Sequence, residues 1–275
     1  MQYIILLTGC INPNGMSYTS LTDISIRINQ YIDAIRFYLQ NTVFPIIFAE
    51  NSDTDIRRYN DSFTNNKRLE IISFKGNNNK ERGKGYGEAE IIEYVIKNSL
   101  IITSTKSKIN IIKITGRLII RNIESVINHK FLFQRNNSII VSFNSDFTFA
   151  DSRIIIAPMT FYLSFLKKKE EINDSINQFF EIVLSKIIKN EDTLHFYPFY
   201  IEPQIYGQSG TTSEIYNPHE DNFKRRISYL SFATNQLLYF YKHLTNMKLS
   251  IPKIITYKLI HIIYRIMEKA MNYFK

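Results

Sequence analysis

Cysteine and histidine are scarce in this chain. Cys10 is the only cysteine among 275 residues, and the five histidines form no His-x-His or His-x-x-x-His pair. This excludes an intramolecular disulfide framework and a multi-cysteine zinc or iron–sulfur site, and argues against a histidine-based metal site. No uncharged apolar run reaches the ~18 residues of a membrane span, and no basic segment precedes the first run. We therefore expect a cytoplasmic protein.

Apolar and basic residues, by contrast, are abundant. Apolar residues make up 44% of the chain and aromatic residues 14%, which excludes an intrinsically disordered protein. The length suits one large α/β domain, or a core domain with a small appendage. The net charge of +9 suggests an anionic partner, such as a nucleic acid, an anionic membrane surface or a diphosphate.

Apolar runs alternate with helical patterns in the first half of the chain. Strands are predicted at 3–8, 43–49, 69–74 and 110–115. A helix follows the first strand, where Ser20 and Asp23 have capping-box-like spacing, and another is predicted over 88–98. The alternation predicts an α/β fold whose mostly parallel, Rossmann-like sheet is flanked by helices.

The second half is less regular. It contains predicted strands at 138–143 and 153–157, one or two helices over 161–188, a loop over 195–216, and helices at 223–244 and 252–274. No internal repeat or low-complexity linker is evident. We expect one catalytic domain over 1–245, followed by a basic amphipathic helical segment over 246–275.

The ends of the predicted parallel strands carry polar residues, and ligands bind beyond the carboxyl ends of such strands. These residues are Thr8, Gly9, Glu50, Asn51, Ser52, Lys75, Gly76, Thr115, Gly116 and Arg117. Arg117 can pair bidentately with a phosphate or a carboxylate. The alternative is a solvated arginine at a strand terminus.

The segment from Gly83 to Glu88 reads GKGYGE and lies before a predicted helix. Glycines allow close backbone approach, and helix N-terminal amides suit a phosphate or a carboxylate. A Walker motif is excluded because the Gly-Lys-Ser/Thr ending is absent, and a Rossmann motif because the segment follows the third strand. A flexible loop with a glycine turn remains the alternative.

Asp151 follows an apolar stretch and precedes Ser152 and Arg153. A carboxylate there can bind a divalent cation that in turn holds a diphosphate. Arg153 can supply part of the same positive charge. The alternative is a turn aspartate that pairs with the neighbouring arginine.

The stretch over 201–212 combines glycines, hydroxyls, an amide and aromatic rings. Sugar hydroxyls need directional donors and acceptors, and the CH faces of sugars stack on tyrosine rings. The composition favours sugar recognition, with Glu202 as a candidate general base. An ordinary surface loop is the alternative.

The last predicted helix has an apolar stripe beside basic residues. The stripe comprises Ile255, Leu259, Ile262, Ile266 and Ala270, and the basic side Lys258, Arg265 and Lys269. Such a helix either packs on its own domain or lies on an anionic membrane surface.

Taken in order over roughly residues 3–217, these motifs resemble a group of bacterial surface-polysaccharide glycosyltransferases found in capsule and lipopolysaccharide gene clusters. The resemblance rests on Leu-Thr-Gly-Cys at 7–10, Glu-Asn-Ser at 50–52, Lys-Ile-Thr-Gly-Arg at 113–117, Ala-Asp-Ser-Arg at 150–153, Glu-Pro-Gln-Ile-Tyr-Gly at 202–207 and the glycine-rich GKGYGE. It implies a GT-A fold that transfers a sugar from a nucleotide sugar, a UDP-sugar first, to an oligosaccharide or lipid-linked glycan. The basic last helix leaves open a peripheral position at the inner face of the cytoplasmic membrane.

On this resemblance, three groups of residues form the site. The donor would be bound by Thr8, Gly9, Glu50, Asn51, Ser52, Lys84, Gly85, Tyr86, Gly87, Glu88, Thr115, Gly116, Arg117, Ser152 and Arg153. The acceptor would be bound by Tyr206, Gln208, Ser209 and Thr211. Catalysis would fall to Glu202 as the base, with Glu88 in reserve, and to Asp151. Asp151 stands for the Asp-x-Asp metal motif but lacks its second acid, which leaves Mn²⁺ or Mg²⁺ dependence open.

Three other functions compete with this one. A nucleotidyltransferase that makes the activated sugar usually has a glycine-rich loop with a basic residue after strand one, yet no Lys or Arg precedes Arg27 here. A nucleic-acid-binding protein would account for the charge, but the basic residues are spread along the chain without a recognised motif, so we expect no nucleic-acid partner. An α/β interaction module is the third.

Overall fold

The computed structural model describes residues 2–127, 137–219 and 221–245, together with Leu259, Ile262 and Ile266. The strands of this part are β1 (Gln2–Gly9), β2 (Ile46–Glu50), β3 (Leu69–Ser73), β4 (Ile109–Thr115), β5 (Ile119–Ile120), β6 (Ser138–Ile140), β7 (Ile154–Pro158), β8 (His195–Tyr197), β9 (Ile205–Gln208) and β10 (Ile215–Tyr216). The α-helices are α1 (Ile24–Asn41), α2 (Lys84–Asn98), α3 (Leu100–Ser104), α4 (Ile123–Ile127), α5 (Met159–Leu166), α6 (Phe180–Asn190) and α7 (Phe223–His243). Short 3₁₀ turns lie at Ile56–Tyr59, Asp61–Phe63, Lys80–Arg82, Lys169–Glu171 and Asp174–Ile176.

The central sheet has the strand order β3-β2-β1-β4-β7-β6-β8. β1 pairs in parallel with β2 and with β4, whereas β7 runs antiparallel to β4 and to β6. The predicted α/β fold with a mostly parallel sheet flanked by helices is confirmed. Because β7 is reversed, its amino end meets the carboxyl ends of β1, β2 and β4 at one edge. Asp151, Ser152 and Arg153, which precede β7, are thereby brought beside Arg117.

The middle of the sheet is buried on both faces. Ile4 to Leu7 in β1 and Ile46 to Ala49 in β2 have no exposed surface, as expected of central parallel strands. α1 packs Tyr31, Ile35 and Tyr38 into the core, since they recur at helical spacing. Burying each such side chain stabilises the fold by about 1.5–3 kcal/mol.

A second, three-stranded sheet has the order β10-β9-β5 and borders the same edge. The prediction of a loop over 195–216 is wrong, because β8, β9 and β10 lie within that stretch. These strands find backbone partners far away in sequence: β8 pairs with β6, and β9 pairs with β5. At Gly207, with φ of 136°, an added Cβ would lie 2.9 Å from Leu118 Cδ2, so only glycine fits this crossing.

The helix after the glycine-rich segment begins at Lys84, four residues earlier than predicted. Gly83 precedes it at φ of 84°, a conformation that glycine adopts without strain. The Asp174 carboxylate accepts a hydrogen bond from Gly85 N (3.1 Å) and so satisfies one free amide of the first turn. The glycine-rich segment is therefore mostly a helix N-terminus rather than a loop.

Other boundaries differ in smaller ways. β6 ends at Ile140 rather than at 143, and the stretch over 161–188 divides into α5 and α6 with short turns between them. Asp23 caps α1 by accepting a hydrogen bond from Ile26 N (3.0 Å), whereas the Ser20 hydroxyl bonds Thr211 O instead.

The predicted helix over 252–274, and with it the segment over 246–275, lies outside the described residues except for Leu259, Ile262 and Ile266. These three side chains are exposed. Within the described ranges, no helix has both the length and the apolar character required to cross a membrane.

Candidate active site at the carboxyl edge of the sheet

A cavity of about 690 Å³ lies at the edge where β1, β2 and β4 end. Its wall also includes residues of α2, of the segment before β7, of α6, of the β9–β10 hairpin and of α7. Small-molecule sites are typically about 300–1,000 Å³. The cavity is therefore large enough for a nucleotide-sized ligand, at the edge that the sequence predicted.

The cavity wall gathers most of the predicted site residues, although they come from distant parts of the chain. Those at the wall are Thr8, Gly9, Asn51, Lys84, Gly87, Glu88, Thr115, Arg117, Asp151, Ser152, Arg153, Glu202, Gln208, Ser209 and Thr211. The remaining predicted residues are not among those that line it. These are Glu50, Ser52, Gly85, Tyr86, Gly116 and Tyr206.

The residues away from the wall have structural contacts of their own. Glu50 is fully buried and accepts hydrogen bonds from the backbone amides of Ser52 and Thr54, which fixes the turn after β2. The Tyr86 hydroxyl donates to Glu170 (3.0 Å). At Gly116, an added Cβ would lie 2.7 Å from Thr8 O, so this glycine allows β1 and β4 to stay close at their ends.

Two buried arginines form one side of the cavity without an acidic partner among the described residues. Arg117 donates from Nη1 to Gln30 Oε1 (2.9 Å) and Gln208 O (3.1 Å). Arg27 donates to the backbone oxygens of Cys10 and Leu21. All of these acceptors are neutral. Burial lowers the pKa of Arg117, and the neighbouring Arg27 charge adds to this effect.

Arg27 is not among the predicted site residues, although its position in the sequence carries a signal. Arg27 and Tyr31 are four residues apart on the apolar face of α1, so both point inward. The Tyr31 hydroxyl accepts a hydrogen bond from Cys10 N (2.9 Å) and lies 3.4 Å from Arg27 Nη2. A charged residue on the apolar face of a predicted helix is the sequence pattern that indicates Arg27.

Lys84 adds a third cation at the cavity. Its exposed side chain donates a hydrogen bond to the Thr211 hydroxyl and makes no ion pair within the described ranges. Lys84 thus ties α2 to the β9–β10 hairpin through a neutral group. Arg27, Arg117 and Lys84 together give this part of the wall a positive charge, and none of the three forms an ion pair within the described ranges, although Lys84 acts at longer range on Asp174 and Glu181.

A buried ion pair lies where β1 and β4 end. Lys113 is fully buried in the middle of β4; its Nζ pairs with Glu88 and also donates to Ser152 O (2.5 Å). Glu88 accepts a further hydrogen bond from the Thr8 hydroxyl (2.7 Å). The pair joins α2, β1, β4 and the segment before β7. A single lysine inside an apolar strand is the sequence pattern that indicates Lys113 as one member of a buried pair.

Two further carboxylates at the wall are held by arginines. Asp151 accepts from Arg153 through both oxygens, with Nη2 to Oδ2 at 2.6 Å. Glu202 pairs bidentately with Arg225 of α7, at 2.6 and 2.7 Å. In both cases the guanidinium takes the carboxylate's main hydrogen-bonding directions.

Glu181, a residue not predicted, is the partly buried acid at the start of α6. Its Oε1 accepts a hydrogen bond from the Ser152 hydroxyl (2.6 Å), and its backbone oxygen accepts from Ala150 N (3.1 Å). Burial raises the pKa of Glu181, and the bond from Ser152 opposes this rise. An acidic residue among the apolar residues of α6 is the sequence pattern that indicates Glu181.

The fit of a divalent metal at Asp151 is poor. Both Asp151 oxygens face the Arg153 guanidinium, and the described residues contain no cluster of three His, Cys, Asp or Glu side chains suited to a metal. Divalent cations such as Mg²⁺ favour several oxygen ligands, which this surrounding does not provide. The positive charge available at the cavity is therefore that of the chain's own lysines and arginines.

No protein-family model matches this chain, and no curated protein matches it either. Similar solved structures include a 4-diphosphocytidyl-2C-methyl-D-erythritol synthase from Anaerococcus prevotii, with 8% identity over 84% of this chain and 95% of that one and a TM-score of 0.38. HddC from Yersinia pseudotuberculosis has 14% identity over 72% and 89%, with a TM-score of 0.33. A cytidylyltransferase from Leptospira borgpetersenii has 12% identity over 90% and 98%, with a TM-score of 0.36. At these scores the likeness carries no argument about function.

Proposed function

We propose that this chain is a glycosyltransferase that moves a sugar from a nucleotide-sugar donor to a hydroxyl of a glycan acceptor. The observation that carries the proposal is the group of cations at the cavity, namely Arg27, Arg117 and Lys84, without an acidic partner in the described part of the chain. The charges of Arg27 and Arg117 are buried without a counter-charge, which is costly, whereas Lys84 is exposed and adds a cation at the entrance. A diphosphate in the cavity would offset that cost.

The same cations suit the chemistry of the reaction. When the anomeric carbon leaves the nucleotide, the diphosphate gains negative charge, and preorganised donors stabilise that charge. Arg117 and Lys84 have hydrogen bonds to neutral oxygens that a phosphate oxygen can replace. Each such charge-assisted bond is stronger than the neutral one it replaces.

The β9–β10 hairpin supports a substrate that contains a sugar. Gln208, Ser209 and Thr211 bring an amide and two hydroxyls to the wall. Such groups match sugar hydroxyls, which need both donors and acceptors. With the motif resemblance, this supports a UDP-sugar as donor and an oligosaccharide or lipid-linked glycan of capsule or lipopolysaccharide as acceptor.

Nucleotidyl transfer, which makes an activated sugar, is the second candidate. One observation favours it: Lys80 Nζ donates to Asn14 O (3.3 Å), so a cation reaches the loop after β1 although the loop contains none. The names of two compared structures also indicate cytidylyl chemistry, but their TM-scores give this no weight. The two reactions differ in their phosphate product, so experiment can separate them.

The test is a thermal-shift screen of nucleotides and nucleotide sugars, with and without Mn²⁺, followed by product analysis. A ligand that binds only the folded protein raises the melting temperature by mass action. Glycosyl transfer predicts that a nucleotide sugar stabilises the protein and is converted to a nucleoside diphosphate. Formation of pyrophosphate from a nucleoside triphosphate and a sugar phosphate, with no turnover of nucleotide sugars, would instead establish the second candidate.

A further inference from the structure

Five carboxylates line the cavity, and their partners differ. They are Glu88, Asp151, Glu181, Glu202 and Glu214. Three of them form ion pairs: Glu88 with Lys113, Asp151 with Arg153, and Glu202 with Arg225. Glu214 is exposed at the hairpin. Glu181 therefore differs from the others, because it is partly buried and held by a hydroxyl instead of a cation.

The Glu181 carboxylate is oriented by its neighbours. Ser152 Oγ donates to Oε1 (2.6 Å), the backbone amide of Glu181 itself also acts on the carboxylate, and no other side chain of the described residues donates to it. The charged groups that act on it from other elements are Lys84 and Glu88 of α2. Lys113 of β4 lies near Phe180, the residue before Glu181, with its Nζ 5.6 Å from the centre of the Phe180 ring. One oxygen is thus fixed and the other can accept a proton.

The protonation behaviour of Glu181 agrees with such a role. Burial raises its pKa, which makes the carboxylate a stronger proton acceptor than a solvated glutamate. A general base works best when its pKa approaches the working pH. An ion pair with arginine, as at Glu202, engages both carboxylate oxygens and so hinders the same task.

We propose that Glu181, rather than Glu202, is the general base that accepts the proton of the acceptor hydroxyl. This rests on the proposed function of sugar transfer. The acceptor oxygen forms a bond to the anomeric carbon, and the bond from that carbon to the diphosphate oxygen breaks. Its electron pair leaves with the diphosphate, and the hydroxyl proton moves to Glu181 Oε2. This single displacement inverts the anomeric configuration.

The test compares wild type with Glu181→Gln, Glu202→Gln and Ser152→Ala. The donors are UDP-glucose, UDP-galactose, UDP-N-acetylglucosamine and GDP-mannose in turn, with water as the hydroxyl acceptor, and the readout is the release of nucleoside diphosphate across pH. Since general bases contribute typically ~10²–10⁴-fold, Glu181→Gln is expected to lower the rate by at least about 100-fold while the donor still raises the melting temperature. Glu202→Gln is expected to lose less than about tenfold, because it removes no base.

Ser152→Ala supplies a readout that a structural role would not move. The hydrogen bond from Ser152 lowers the pKa of Glu181, so its loss raises that pKa. The acidic limb of the pH–rate profile should therefore shift to higher pH. Glu191→Gln, at the opposite end of α6, is the matched control and should leave both rate and profile unchanged.

The outcomes distinguish failure of the Glu181 assignment from failure of the proposed sugar transfer. If wild type converts a nucleotide sugar but Glu181→Gln retains the rate within about threefold, or Ser152→Ala leaves the profile unmoved, Glu181 is not the base. Retention of the anomeric configuration in the product would also overturn the assignment. If wild type converts no nucleotide sugar, the proposed function fails and the base assignment fails with it.

Discussion

Replacement of Arg117 by methionine should separate ligand binding from stability. Methionine keeps most of the side-chain length but removes the charge and the donors to Gln30 and Gln208. Removing one partner of a charge-assisted contact typically costs 2–5 kcal/mol of binding, and about 2 kcal/mol is a ~30-fold loss of affinity. We therefore expect UDP to bind Arg117→Met at least about 30-fold more weakly than wild type.

The thermal consequence can be estimated. At a ligand concentration of ~100 times Kd, binding stabilises wild type by about 2.7 kcal/mol, and the same concentration stabilises the variant by only about 0.9 kcal/mol. At roughly 2–4 °C per kcal/mol, the shift in melting temperature falls from about 5–11 °C to about 2–4 °C.

The unliganded variant should remain stable. The lost hydrogen bonds of a charged donor contribute about 1.5–3 kcal/mol each, but desolvation of the buried guanidinium costs several kcal/mol. These terms oppose each other, so we expect the free energy of unfolding to change by less than about 2 kcal/mol. Arg226→Met, which breaks an exposed pair with Asp221 away from the cavity, is the control and should alter neither quantity. An unchanged Kd for UDP in Arg117→Met would refute the reasoning, and so would its unfolding without ligand.

Three other predictions follow from separate features. Asp174→Asn should raise the melting temperature at neutral pH. Burial raises the pKa of Asp174 in the folded protein, so wild-type stability falls as pH rises through that pKa. The stability gain of the variant should vanish below about pH 4, the pKa of an aspartate in the unfolded chain. If the stability gain of the variant over wild type is no larger at pH 7 than at pH 3, this sign is contradicted. EDTA should change donor turnover by less than about twofold, because Arg153 occupies both Asp151 oxygens, and a return of activity only with added Mn²⁺ would contradict it. Truncation after residue 245 should reduce sedimentation with anionic liposomes, since Leu259, Ile262 and Ile266 are exposed, and equal sedimentation of both forms would count against a membrane role.

The central sheet could be predicted from sequence because its signal is local. The apolar runs of β1 to β4 lie next to one another along the chain, and their polar ends mark the ligand edge. Thr8, Asn51 and Arg117 could be placed at that edge for this reason alone. β9 was not predictable in the same way, because it is a strand only when the two-residue β5 pairs with it.

The partners within the site could not be predicted, because they join residues far apart in sequence. Glu202 meets Arg225 across 23 positions, and Gly85 meets Asp174 across 89. No periodicity links such pairs; they depend on how helices pack around the sheet. What the sequence does show is that a charge such as Lys113 lies inside an apolar run, which identifies one member of a pair without naming the other.

The fate of the oxygen that bridges sugar and phosphate tests the central claim most directly. A nucleotide sugar with oxygen-18 at the bond between the anomeric carbon and the phosphate is incubated with the protein, and phosphorus NMR locates the label. Glycosyl transfer breaks the bond on the carbon side, so the account predicts the label in the nucleoside diphosphate. Label found in a sugar phosphate would show that the bond from the anomeric carbon had stayed intact while the link between the two phosphorus atoms broke, and would contradict glycosyl transfer.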